Sequence, residues 1–228
     1  EVKNILKYWA LSEKQDFHVI PTDTISISID KDAVLRSGIM LPDSIRHLKG
    51  KELKNAIPDK IYISLKDMRI LTKVDMLMLE MLANCNWERP LYMAISVGEV
   101  SKLKFDHYFV QEGLAFRFTP FDYKKWGNVK GDNNYAIDVE RLYENVMNRY
   151  KYGGLDTPGL YLDETTLRTC YYHRRLFAQL AKELIRQGDN TRARKVLAYA
   201  EQAVPAYNVP EIYESGSFDI AKAYAALG

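Results

Sequence analysis

The 228-residue sequence predicts an α+β fold, in which a mixed β-sheet with packed helices is followed by a C-terminal region of helical hairpins. Three patterns support this prediction. Residues 24–29 alternate polar and apolar side chains, which is typical of a strand with one buried face. Residues 60–97 show the order strand, helix, strand, a spacing that favours a right-handed crossover between parallel strands. Beyond residue 160, apolar residues recur at the period of an α-helix.

The elements of the first half follow from local signals. A helix is predicted over residues 2–11, and Asp30 and Asp32 begin a short helix that Gly38 ends. Residues 41–56 are predicted to be loop with one helical turn. Thr72 can cap a helix that carries Asp75 at its third position, close to a capping box. One apolar stripe of this helix contains Val74, Leu77, Met78, Met81 and Leu82, and we expect that stripe to be buried.

The remaining strands and the domain boundary are marked by Pro and Gly. Residues 91–97 and 114–119 are predicted strands, and residues 127–135 form a surface loop because they contain few apolar side chains. Asp138 caps a further helix. The Gly- and Pro-rich segment 153–159 is the best candidate for a domain boundary. We therefore predict an α/β domain over residues 1–154 and a helical domain over residues 160–228.

The helical region has the spacing of a tetratricopeptide repeat, a 34-residue helical hairpin with small and large residues at fixed positions. With Arg174 as position one, nine motif positions hold compatible residues: Phe177, Leu180, Ala181, Leu184, Gly188, Ala193, Leu197, Ala200 and Pro205. Ala181 and Ala193 would allow two helices to approach closely, and Gly188 would end the first helix. A second, truncated copy matches at Ile220, Ala221, Tyr224 and Gly228. The alternative is a generic helical hairpin, since any antiparallel pair selects alanine at its crossing.

The first helix of such a repeat lines a groove through positions 2, 5, 9 and 12, which here are Arg175, Ala178, Lys182 and Ile185. Arg186 lies beside them. We predict that Arg175, Lys182 and Arg186 form a groove-binding site for a carboxylate or another anion. The alternative is a solvated basic face without a ligand.

Composition excludes several classes of protein. Lys and Arg number 32 against 30 Asp and Glu, so the chain lacks the basic excess of a general nucleic-acid binder. The longest apolar run, near residues 91–97, is far shorter than the roughly 18 residues that a membrane span needs. No secretory signal is visible. The chain begins at Glu1 and ends inside a helical pattern, which indicates a fragment.

Sequence motifs for catalysis are missing as well. There is no Gly-x-Gly-x-x-Gly, P-loop or Gly-x-Ser-x-Gly motif, so no catalytic residue and no cofactor is predicted. The four histidines, His18, His47, His107 and His173, are scattered, so no metal site is predicted either. Cys85 and Cys170 are expected to be buried thiols, with a disulfide as the alternative. Tyrosines at apolar-periodic positions are expected to pack in the core, including Tyr62, Tyr92, Tyr143 and Tyr224.

Six phrases of the sequence together resemble a known family. They are residues 20–27 (IPTDTISI), 60–65 (KIYISL), 81–90 (MLANCNWERP), 112–117 (EGLAFR), 161–168 (YLDETTLR) and 207–210 (YNVP). They resemble the C-terminal soluble region of a bacterial family of multi-pass membrane proteins of unknown function. That family is itself similar to protein O-mannosyltransferase-like glycosyltransferases. The resemblance covers nearly the whole chain.

The resemblance implies a domain on the extracytoplasmic (periplasmic) face of a membrane, attached to a membrane-embedded half of the same polypeptide. In enzymes of that class the catalytic acidic residue lies in the membrane part, so none is assigned here. We therefore expect a non-catalytic accessory domain of a glycosyltransferase-like protein, which positions the acceptor protein or packs on the membrane half. The alternative is a tetratricopeptide-type protein-interaction module, with a peptide ligand in the groove and no link to sugar transfer.

Overall fold

The computed structural model describes residues 22–66, 71–97, 103, 105–129 and 135–228. The helix predicted over residues 2–11 lies outside them. The chain forms two compact units. The first extends to Gln111 and includes Ala115–Ala136, and the second comprises Glu112–Leu114 and Ile137–Gly228. Within the described residues there are seven α-helices and two small sheets, which confirms the predicted α+β class.

The first sheet is a two-stranded antiparallel ribbon of β1 (Thr24–Ser28) and β2 (Lys60–Ser64). Its isoleucines face one side, because alternate residues of a strand point in the same direction. Ile25 pairs with Ile63 and Ile27 with Ile61, and all four are buried. Between the strands lie α1 (Lys31–Arg36), which Asp30 caps as predicted, and α2 (Gly50–Ala56), which is longer than the single helical turn expected there.

Helix α3 (Lys73–Asn84) begins as predicted, because Thr72 and Asp75 form a capping box. The carboxylate of Asp75 accepts a hydrogen bond from the Thr72 backbone N–H at 2.8 Å. The predicted buried stripe is wrong for most of its members. The helix buries Met76, Leu79 and Leu82, whereas Val74, Leu77 and Met81 are exposed. Apolar residues lie on both sides of this helix, so their period alone does not decide which side is buried.

The second sheet has the order β3 (Tyr92–Ala94), β5 (Ala115–Phe118), β4 (Phe109–Gln111) and β6 (Ala136–Ile137). Strand β5 is antiparallel to both β3 and β4. The predicted parallel crossover from β2 to β3 is therefore wrong, since the two strands belong to different sheets. Strand β2 pairs with β1 instead, and the three residues of β3 pair with β5. The spacing strand, helix, strand does not specify which neighbour a strand will choose.

Aromatic rings join the second sheet to its surroundings in the first unit. Trp87 stacks on Phe118 with ring centroids 5.6 Å apart, and its indole N–H donates to the Ser28 carbonyl at 2.9 Å. Phe109 meets Phe118 edge to face. By contrast, Tyr62 and Tyr92 are largely exposed, so the prediction that they pack in the core is wrong. Both lie on the solvent side of strands whose alternate residues face inward.

The second unit is helical. It contains α4 (Val139–Glu144), capped by Asp138 as predicted and extended by a π-helical turn over Asn145–Arg149, then α5 (Glu164–Arg186), α6 (Asn190–Ala203) and α7 (Ser217–Leu227). Helices α6 and α7 both pack on α5. The predicted helical hairpin is confirmed.

The apolar residues that the spacing of the first repeat copy singled out occupy the interior of this hairpin, whereas Ala221 and Tyr224 of the truncated second copy are exposed, so the prediction that Tyr224 packs in the core is wrong. Phe177, Ala181, Leu184, Ala193 and Leu197 are all fully buried, as close packing of α5 against α6 requires. Gly188 follows the C-terminal end of α5, and its φ of 82° is a left-handed conformation that favours glycine.

The two compact units divide between Ala136 and Ile137, so α4 belongs with the helices that follow it. The prediction of separate domains over residues 1–154 and 160–228 stays a prediction about which parts fold independently. Among the described residues, no helix combines the length and the hydrophobicity that a membrane span requires.

Candidate binding site

The three predicted groove residues all lie on α5. Arg175 and Lys182 are seven residues apart and Lys182 and Arg186 are four apart, so helical spacing brings them to one side of the helix. All three are exposed, and Ala178, the small residue between them, is buried. The structure thus has the basic face that the repeat spacing predicted. That this face binds an anionic ligand stays a prediction.

Arg175 already has partners within its own chain. Its Nε donates to the Glu214 carbonyl at 2.9 Å, and Nη2 donates to the same oxygen. The guanidinium also lies over the ring of Tyr172, 5.5 Å from its centroid. Gly216 packs closely against Arg175, since a Cβ at that glycine would lie 2.9 Å from the Arg175 Cγ. The segment before α7 therefore covers one end of the basic face.

The other two cations differ in their neighbours. Arg186 donates to the carboxylate of Glu183 at 2.7 Å, so its charge is balanced one turn away. Lys182 has no ion pair among the residues that the structure describes. Arg175 has no ion pair there either, but two of its donors are used on the neutral Glu214 carbonyl. Of the three predicted site residues, Lys182 is therefore the one whose charge and hydrogen-bond donors are all available to an incoming anion.

Arg174, which the repeat motif uses only as its first position, is a buried structural residue. Its guanidinium donates to the carbonyls of Val204, Val209 and Pro210 at 2.7–3.0 Å and to the hydroxyls of Ser215 and Ser217 at 3.2 and 3.4 Å. A buried guanidinium has to be satisfied in this way. Arg174 thus holds the segment between α6 and α7 against α5. No local signal in the sequence could have revealed these partners.

A cavity that the sequence did not reveal lies in the helical unit. Its volume is about 460 Å³, within the range of small-molecule sites. The tyrosine cavity, as we call it, is lined by Met147, Asn148, Tyr150, Lys151, Tyr152, Gly154, Leu155, Asp156, Tyr199, Gln202 and Ala203. Much of this lining comes from the segment that follows the π-helical turn, and part of that segment lies in the predicted domain boundary of residues 153–159.

Two tyrosines of the cavity are held by hydrogen bonds at their hydroxyls. Tyr152 donates to the Val146 carbonyl at 2.7 Å, and burial raises the pKa of its phenol, which therefore stays neutral. Tyr150 accepts a hydrogen bond from the backbone N–H of Leu114 at 2.9 Å. A Cβ at Gly113 would collide with the Tyr150 hydroxyl, so glycine is required there.

An aromatic cluster packs against Tyr152. The ring of Tyr152 packs against His173, Phe177 and Tyr199, with centroids 5.2, 5.6 and 6.0 Å away. The Nδ1 of His173 is buried and has no hydrogen-bond partner among the described residues. Burial lowers the pKa of His173 below its ordinary value of 6.5, so the ring is neutral at neutral pH.

Metal-ligating side chains do not cluster in the described part of the chain. No group of three or more His, Cys, Asp and Glu residues lies together there. Both cysteines are free thiols; Cys170 is buried and Cys85 is half-buried. Burial raises the pKa of each thiol.

These features define the class of the protein as an α+β domain followed by a tetratricopeptide-like helical region with a basic face. Residues 2–140 match the family model described as TMEM260-associated domain 2, and the chain belongs to this family. It is thus an accessory domain of a membrane protein. The match ends within α4, so the helical hairpin and the tyrosine cavity lie beyond it. No curated protein and no solved structure matches the chain.

Proposed function

We propose that the chain is a non-catalytic, extracytoplasmic accessory domain of a membrane-embedded glycosyltransferase-like protein, and that it positions the acceptor protein for transfer. The observation that carries this proposal is the match of residues 2–140 to a TMEM260-associated domain. The sequence also resembles the soluble region of a bacterial membrane-protein family that is itself similar to O-mannosyltransferase-like glycosyltransferases, and this supports the link to sugar transfer. In those enzymes the catalytic acidic residue lies in the membrane part, so the soluble part is left to bind or to position.

The basic face of α5 is the surface that we assign to the acceptor. Lys182 supplies an uncompensated charge there, with Arg175 and Arg186 beside it, and a carboxylate of an acceptor segment is the group that such cations bind. Because Arg175 and Arg186 are held by Glu214 and Glu183, their positions are fixed before binding. Fixed positions reduce the entropy lost on binding.

The charge of Lys182 gives the test of this assignment. In the intact protein, Lys182→Glu should raise the KM for a folded acceptor protein about fivefold and leave kcat unchanged, the scale expected of one exposed ion pair. Lys195→Glu makes the same charge change at an exposed position of α6 and is the matched control. An equal KM for Lys182→Glu and Lys195→Glu would mean that the basic face of α5 does not bind the acceptor.

The same face favours one other function, a peptide-binding interaction module without a link to sugar transfer. Tetratricopeptide-like hairpins present such grooves. A peptide in the groove would bring its carboxylates next to the three cations. Pulldown with acidic peptides, using wild type and the Arg175→Glu, Lys182→Glu double variant, tests this alternative. Binding that is lost in the double variant, combined with normal sugar transfer by the intact double variant, would favour the interaction module.

A further inference from the structure

We propose that the tyrosine cavity binds a neutral saccharide. The cavity is open to solvent on one side and contained within one compact unit, and its volume of about 460 Å³ falls in the range of small-molecule sites. Its lining combines aromatic rings with a few polar side chains. The class of ligand follows from how these groups are arranged and from which of them still lack a partner.

The aromatic walls are rigid. Tyr150 and Tyr152 are anchored through their hydroxyls to Leu114 and Val146, and the ring of Tyr199 packs on Phe177 and Tyr152 with centroids 5.9 and 6.0 Å away. Rigid rings offer apolar contact at little cost in entropy. A pyranose ring has an apolar C–H face, which an aromatic side chain can cover while the hydroxyls of the sugar remain free to form hydrogen bonds.

The polar groups of the cavity suit hydroxyls. The Tyr199 hydroxyl and the Gln202 amide make no hydrogen bond within the described part of the chain. A phenol and an amide both donate and accept, as a sugar hydroxyl does. Such groups can therefore bind adjacent hydroxyls of one ring without an ion pair.

The charges of the cavity favour a neutral ligand. Lys151 and Asp156 contribute one charge of each sign, and both are exposed. A phosphate or a nucleotide would need an excess of cations or a helix N-terminus pointing at it. The lining offers no cation besides Lys151. This inference stands apart from the proposed function, because a saccharide can bind here whether or not the intact protein transfers sugar.

Saturation-transfer NMR on the 228-residue chain tests the inference, with the methyl pyranosides of glucose, galactose, mannose and N-acetylglucosamine as probes. We expect saturable binding of at least one of them. Gln202→Ala and Tyr199→Phe should each weaken it about fivefold, the scale of one or two neutral hydrogen bonds. Gln202 is exposed, and Tyr199→Phe keeps the ring, so both variants should fold. Gln187→Ala, an exposed glutamine outside the cavity, should leave binding unchanged.

Three outcomes would overturn the inference. One is that none of the four pyranosides binds. The second is that a pyranoside binds with the same affinity to wild type, Gln202→Ala and Tyr199→Phe. The third is that adenosine or free tyrosine, tested in the same way, binds in the cavity more tightly than every pyranoside.

Discussion

The backbone N–H of Leu114 donates to the phenol oxygen of Tyr150 at 2.9 Å, across 36 residues of sequence. The neighbouring Asn145 donates its amide to the Glu112 carbonyl at 2.6 Å. Through these bonds the short segment Glu112–Leu114 belongs to the helical unit, although the strands on either side of it belong to the first unit. One wall of the tyrosine cavity is therefore fixed by a segment from a distant part of the sequence.

Gly113→Ala should destabilise the protein by on the order of 2 kcal/mol, because the new methyl group overlaps the Tyr150 hydroxyl. Adding Tyr150→Phe should recover part of that loss, since it removes the overlapping oxygen. Gly159→Ala is the control: it also has positive φ but meets no atom, so it should cost about 1 kcal/mol from backbone strain alone. Urea denaturation measures all four proteins, and equal losses for the two glycine variants would contradict the steric explanation.

Arg174→Met should lower the free energy of unfolding by about 3 kcal/mol, because it leaves several buried carbonyls without a donor. Arg168→Met removes an exposed arginine of the same helix that pairs with Glu164, and it should cost less than about 0.5 kcal/mol. Chemical denaturation compares the two. If Arg174→Met is as stable as Arg168→Met, the buried network does not hold the segment between α6 and α7.

The stability that neutral His173 contributes should depend on pH. Burial lowers its pKa in the folded state, so below about pH 6.5 the unfolded chain binds a proton that the folded chain does not. The contribution is complete above that pH and is lost as the pH falls, by at most about 1.4 kcal/mol per unit.

His173→Phe keeps an aromatic ring at this position but cannot titrate. The free energy of unfolding of wild type, relative to that of His173→Phe, should therefore fall between pH 7.5 and pH 5.5. His107, whose pKa burial also lowers, is present in both proteins and cancels in the difference. Parallel stability curves for the two proteins would show that His173 is not buried in neutral form.

Helix α3 offers a direct check on which of its faces is buried. Leu79→Ala should cost 2–5 kcal/mol, roughly, because Leu79 is fully buried. Leu77→Ala should change stability by less than about 0.5 kcal/mol, since Leu77 is 61% exposed. Thermal or urea unfolding measures both. The reverse order would mean that the stripe of Val74, Leu77 and Met81 faces the core.

Signals confined to a few residues predicted the structure best. The caps at Asp30, Thr72 and Asp138 act within one helical turn, so the sequence reveals them without knowledge of the fold. The repeat spacing works for the same reason, because each position fixes a contact inside one hairpin. The sequence did not predict which strands distant in the chain pair with each other. Whether β2 pairs with β1 or with β3 depends on packing that no local pattern records.

At the candidate site, too, local features were predicted and long-range contacts were not. Helical spacing correctly placed Arg175, Lys182 and Arg186 on one side of α5, but the partner of Arg175 is the Glu214 carbonyl, 39 residues away. The tyrosine cavity was missed because its lining comes from the segment around Tyr150–Asp156 and from α6. A Gly-rich run after a helix indicates a turn, and only the fold shows that this turn borders a cavity.

Deletion of residues 1–228 from the intact protein tests most directly whether the chain is an accessory domain for acceptor positioning. The comparison is mannosyl transfer to a folded acceptor protein by intact and truncated forms, at matched amounts of membrane-inserted protein. We expect from the positioning role that truncation sharply reduces transfer to the folded acceptor. Unchanged transfer to every acceptor tested would contradict it.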